Sequence, residues 1–123
     1  MSKILIVEDH PAIGNIEALI CKEMGHDVEI ATQGTTALTK YQEYHPDLVI
    51  LDLMLPGQFS GKHVLEEVRV KYEKNTPFLI ITALSASLQE EEISKMGNVK
   101  ILAKPFRVQE ITAWITHLLK NVS

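Results

Sequence analysis

The sequence predicts an α/β protein in which a five-stranded parallel sheet carries helices on both faces, with residues 1–123 forming one domain. Three observations predict it. Short apolar runs alternate with segments of helical spacing, the pattern of successive βαβ units and so of parallel pairing. Three of the runs are continuously apolar, as strands covered on both faces must be. The length matches a common domain size, and 46% hydrophobic with 23% charged residues supplies a core without repeats or linkers.

The first run, Lys3-Ile4-Leu5-Ile6-Val7, leads into Glu8-Asp9. Residues 11–24 follow with Ile13, Ile16, Leu19, Ile20 and Met24 at helical spacing, expected to face inward. Pro11 suits the first turn, and Gly25 stops the helix. The second run, residues 27–30, alternates polar and apolar and reads as an edge. A helix over 35–44 ends at His45-Pro46, because a residue before proline is pushed out of the helical region. The third run, 48–51, ends on Asp52, and a helix over about 62–72 places Val64, Leu65, Val68 and Tyr72 inward. The fourth run, 78–81, ends on Thr82. The helix over 88–96 is weakly patterned around Glu90-Glu91-Glu92, a solvated face. The fifth run, 101–103, ends on Lys104-Pro105. A last helix over 107–120 turns Val108, Ile111, Ile115, Leu118 and Leu119 inward. Runs one, three and four inside, with two and five as edges, fit the order 2-1-3-4-5 of flavodoxin-like (βα)5 sheets.

The net charge of −4 offers no basic surface for nucleic acid, so direct binding to it is not expected. Cys21 stands alone in an apolar-periodic segment and reads as a buried thiol. No apolar stretch is long enough to span a bilayer, and the chain enters a strand at once without a signal-peptide pattern, so a cytoplasmic protein is expected.

In a parallel sheet the carboxyl ends of the strands share one edge, where ligands of open α/β sheets bind. Glu8, Asp9, Asp52, Thr82 and Lys104 would meet there. Two unit charges about 4 Å apart repel by roughly 4 kcal/mol at an effective dielectric near 20. Three carboxylates together therefore call for a cation. An all-oxygen set without His or Cys favours a hard ion, Mg²⁺ or Mn²⁺. Metal, ammonium and hydroxyl together suit a phosphoryl group, with a carboxylate as its acceptor. Taken alone, Glu8-Asp9 would merely cap the following helix, and His10 reads as a surface loop residue.

The pieces Ile4-Leu5-Ile6-Val7-Glu8-Asp9, Pro46 through Gly57 around Asp52, Thr82-Ala83 and Leu102-Ala103-Lys104-Pro105-Phe106 resemble a receiver domain of a two-component response regulator. The likeness runs the length of the chain. It implies a switch in which Asp52 accepts a phosphoryl group from the phosphohistidine of a histidine kinase or phosphotransfer protein. Glu8, Asp9, Asp52 and the backbone carbonyl of Met54 would hold Mg²⁺, directly or through water. Lys104 would contact the phosphoryl group, Thr82 would move toward it, and the Lys104-Pro105 bond would be cis. Output would pass to a partner through the fourth helix, fifth strand and fifth helix. The chain would turn over no small molecule; a phosphatase of the haloacid-dehalogenase type would need Asp-x-Asp where Glu8-Asp9-His10 stands.

Three departures from the family pattern stand out. Ile101 replaces the usual aromatic three residues before the lysine, and a β-branched side chain without a hydroxyl cannot perform the aromatic rotamer exchange. The loop 56–61 is one residue longer than usual. Val99-Lys100 replaces the acidic residues expected before the fifth strand in dimer-forming members, so their charge-paired dimer does not carry over.

Overall fold

Alternation along each strand gives every strand two faces, and both are covered here. The computed structural model describes residues 2–53, 55, 60–83 and 87–120, and of 87–89 the backbone alone. The order is β1 (Lys3–Val7), α1 (Pro11–Glu23), β2 (Asp27–Ala31), α2 (Gly34–Tyr44), β3 (Leu48–Leu51), α3 (Gly61–Glu66), β4 (Phe78–Thr82), α4 (Ser87–Ser94), β5 (Val99–Ala103) and α5 (Val108–Lys120). All pairings are parallel, in the order β2-β1-β3-β4-β5. This is the flavodoxin-like topology expected from the sequence.

Successive side chains of a strand point to opposite faces, and the core divides accordingly. Leu5, Val7, Val49, Leu51, Phe78 and Ile80 pack with Ala37, Tyr41, Val64, Leu65, Val68 and Ile93. On the other face Ile4, Ile6, Leu48, Ile50, Leu79 and Ile81 pack with Ala18, Ile20, Cys21, Ile111, Ile115 and Leu118. Helices α2, α3 and α4 thus cover one side, and α1 and α5 the other. The burial of Cys21 is as expected.

Two helix faces differ from the expectation. Ile16 and Leu19 are 47% and 59% exposed, and α1 instead buries Gly14, Glu17, Ala18, Ile20 and Cys21. The helix is rotated toward its small side chains, which let it approach β1 closely: a Cβ on Gly14 would lie 3.7 Å from Glu8. Val108 is likewise exposed, because it opens the first turn of α5 before the buried stripe begins at Ile111. A third difference is backbone. From Glu67 to Lys71 the α3 helix widens into a π turn, with the Tyr72 amide donating to the Glu67 carbonyl at 3.0 Å. The wider turn coincides with a stacking contact of Tyr72 on Tyr41, ring centres 5.9 Å apart.

Candidate functional site

Strand register assembles the site. Val7 is level with Leu51, so Glu8 and Asp52 leave adjacent strands together. The Asp52 amide donates to the Val7 carbonyl at 3.0 Å, and the Glu8 amide to the Ala31 carbonyl at 3.0 Å. Thr82 is level with Ala103, and the Lys104 amide donates back to the Thr82 carbonyl at 2.9 Å. The Lys104-Pro105 peptide is cis. Five residues scattered over nearly the whole chain thereby come to one edge of the sheet.

The side chains bear out that convergence for four of them. Lys104 Nζ donates to Asp52 Oδ2 at 2.9 Å and to Glu8 Oε1 at 3.1 Å. Glu8 and Asp52 are buried, and Asp9 is exposed at the rim. Carboxylate oxygens of Glu8, Asp9 and Asp52 all lie within 4.8 Å of one another. Thr82 is buried at the end of β4. Met54, expected to lend its carbonyl, lies outside the described residues, as do most of the loop 56–61 and residues 84–86.

The electrostatics are those of an anionic basin with one internal cation. Burial pushes the Glu8 carboxyl above its ordinary value, against the lowering effect of the His10 amide and Lys104, with Asp52 adding to the rise. For Lys104, burial pulls downward, but the hydrogen bonds and charges of Asp52 and Glu8 outweigh it and hold the ammonium above its ordinary value. One ammonium among three carboxylates leaves negative charge uncompensated. The all-oxygen donor set and its spacing fit a hard divalent cation.

Capping does not explain the acidic pair. The N-cap of α1 is His10, whose side chain makes no capping bond. Its amide donates to Glu8 Oε2 at 3.2 Å, which orients the carboxylate within the basin. His10 itself is exposed, as expected of a loop residue.

Two contributors were not visible in the sequence reading. Gly61 opens α3 with its amide donating to the Leu53 carbonyl at 3.0 Å. A Cβ there would stand 2.3 Å from the Asp52 carbonyl oxygen and 2.6 Å from Leu53 Cα. Only glycine lets α3 start this close to the strand that carries Asp52. The Ser60-Gly61 pair was a usable signal, since Ser60 Oγ accepts from the His63 amide at 3.3 Å as an N-cap. Glu17 is the other: a charged residue with 1% exposure on the inner face of α1.

The chain matches the response regulator receiver domain over residues 4–116. It belongs to that family. The receiver domain is 32% identical over 121 residues to the transcriptional regulatory protein TrcR of Mycobacterium tuberculosis, covering 98% of this chain and 46% of the relative. It therefore spans less than half of that curated relative's length. Among solved structures it is similar to the receiver domain of Francisella response regulator 1452, with 28% identity, full coverage of both chains and a TM-score of 0.90. The BeF3-activated N-terminal receiver domain of RstA from Klebsiella pneumoniae matches with 26% identity and a TM-score of 0.86, covering 97% of this chain and 99% of that one. The protein is thus a receiver domain of two-component signalling, a signalling domain with an acidic pocket compatible with Mg²⁺. Among the described residues no helix is long and apolar enough to cross a membrane.

Proposed function

We propose that Asp52 is the phosphoacceptor of this receiver, taking a phosphoryl group from the phosphohistidine of a histidine kinase or phosphotransfer protein. The observation that carries the reading is Lys104, whose ammonium bridges Asp52 and Glu8 inside the basin. Glu8, Asp9 and Asp52 are the residues that would hold Mg²⁺ (or Mn²⁺), with the Met54 carbonyl as a further donor. When bound, the ion would neutralise negative charge on the phosphoryl oxygens and on the Asp52 carboxylate.

The chain's own residues supply the rest. An Asp52 carboxylate oxygen attacks phosphorus as the bond to the donor imidazole nitrogen breaks, and the product is an acyl phosphate. Lys104, held protonated by its two carboxylate partners, is placed to follow the negative charge onto the phosphoryl oxygens. Thr82 offers a hydroxyl at the same edge. Water later attacks the acyl phosphate and resets Asp52, so self-phosphorylation and self-dephosphorylation are its only reactions. The phosphodonor must reach the basin over its open rim. There an apolar groove of about 520 Å³, lined by Ile13, Ile16, Pro105 and Phe106, adjoins Lys104. We assign that groove to the donor protein.

The signal would leave through α4, β5 and α5 to an output partner, without direct contact to nucleic acid or membrane, in the cytoplasm. Residues 1–123 act as one receiver domain in this reading. Beryllofluoride with Mg²⁺ is expected to bind the wild-type domain, seen as shifts of amide resonances around Asp52. The Asp52→Asn variant should show none. Undiminished shifts in that variant would remove Asp52 from the role.

A further inference from the structure

We propose that a pocket at the end of the sheet away from the acids, between the end of α2 and the segment entering β4, binds a phosphate group. The inference stands apart from the reading of Asp52 and its metal. The pocket encloses about 180 Å³ and is lined by Tyr41, His45, Pro46, Lys74 and Thr76. That is space for about six water molecules, enough for a tetrahedral oxyanion. It is well below the roughly 300 Å³ of sites that enclose drug-sized molecules.

The lining offers donors and, among the described residues, no carboxylate. The Tyr41 and Thr76 hydroxyls share one hydrogen bond, 2.5 Å between the oxygens, so one of their two protons is left to donate. Among the described residues the Lys74 ammonium and the His45 ring make no hydrogen bond or ion pair. Asp47, beside Pro46, is occupied by the Lys3 amide at 2.8 Å. Behind this wall lies the half-buried Arg69, whose charge reaches Tyr41. Its guanidinium donates to the carbonyls of Lys74, Gly97 and Asn98, and its Nε is buried without a partner. No carboxylate among the described residues pairs with it. A cation withdrawn from water without a counter-charge is costly, and an anion nearby offsets that cost. The frame of the pocket is fixed as well. The Lys74 amide donates to the Val68 carbonyl at 3.0 Å, and the Asn75 carbonyl accepts from Asn98 at 2.7 Å. A phosphate seated there would take a bond from the spare hydroxyl, one from the His45 ring and a charge-assisted one from Lys74.

The test is titration of inorganic phosphate into the whole chain, followed by amide resonances, at constant ionic strength and with EDTA present. EDTA keeps divalent cations from gathering phosphate in the acidic basin. Saturable shifts are expected at His45, Lys74, Asn75 and Thr76. Lys74→Gln and Thr76→Val, neither at a buried position, should each lose about fivefold or more in affinity. Lys22→Gln, at an exposed lysine of α1 outside the pocket, should lose nothing. Tighter binding of glycerol 3-phosphate than of inorganic phosphate would make the ligand a phosphate monoester. Equal or weaker binding would make it the free ion, and both results uphold the pocket. Shifts that grow without saturating, or affinities that fall equally in Lys22→Gln and Lys74→Gln, mean diffuse attraction and overturn the proposal. Unchanged affinity in either pocket variant overturns it too.

Discussion

Lys104 shows how one side chain can hold two carboxylates in a buried basin, and Glu17 shows the cost of a third acid left without such a partner. Glu17 keeps its proton up to about 8 in the folded chain but only to about 4.5 otherwise. Between those values the folded state is the tighter proton binder, so stability falls as pH rises and is fully kept below the window. At pH 7 the loss is on the order of 3 kcal/mol. Glu17→Leu should therefore melt higher than wild type, with a gap that widens between pH about 5 and about 8. Thermal melts at the two pH values check this; a constant gap would contradict it. The candidate site residues were legible because each lies at the end of an apolar run, an unlikely place for idle charge. Glu17 was not. Its neighbours Ile16 and Leu19 matched a helical stripe equally well, and only the close approach of α1 to β1 decides which stripe turns inward.

At the scale of elements, strand order was readable from burial: β2 and β5 carry the mixed patterns of edges, and β1, β3 and β4 are buried throughout or nearly so. What periodicity does not reveal is how helices begin and end against the sheet. The close start of α3 and its π turn depend on contacts distant in sequence, the first with Asp52 and Leu53, the second beside Tyr41. Gly61→Ala tests the first. Its methyl group would meet backbone, which cannot swing aside as a side chain can, so a loss of about 1–3 kcal/mol is expected. The Asp52-Leu53 segment must shift with it, and Mg²⁺ affinity should fall in parallel. Urea unfolding and Mg²⁺ titration read the two effects; unchanged values in both would show that α3 can retreat without disturbing the strand.

For the whole molecule, charge on the β5–α5 face bears on assembly. Lys100 Nζ lies 4.4 Å from the centre of the Trp114 ring, and the Trp114 and His117 rings meet edge to face with centres 5.3 Å apart. Lys100 is thus engaged within its own subunit, and the connection Lys95-Met96-Gly97-Asn98 into β5 carries no acid to receive a basic partner from a second copy. Self-association through this face should be weak and insensitive to salt, with or without beryllofluoride. Sedimentation in low and high salt checks it. A tight dimer, formed on activation and loosened by salt, would count against this view.

The opposite end of the sheet is tied down by Arg69. Its guanidinium donates to the carbonyls of Lys74, Gly97 and Asn98 and lies over the Phe78 ring, 5.1 Å from its centre. One side chain thereby staples the exit of the third helix to the entrances of the last two strands. Splaying that end would break several bonds at once. Moving the fourth and fifth strands apart at the end away from the acids would therefore have to break the bonds that tie them to the third helix.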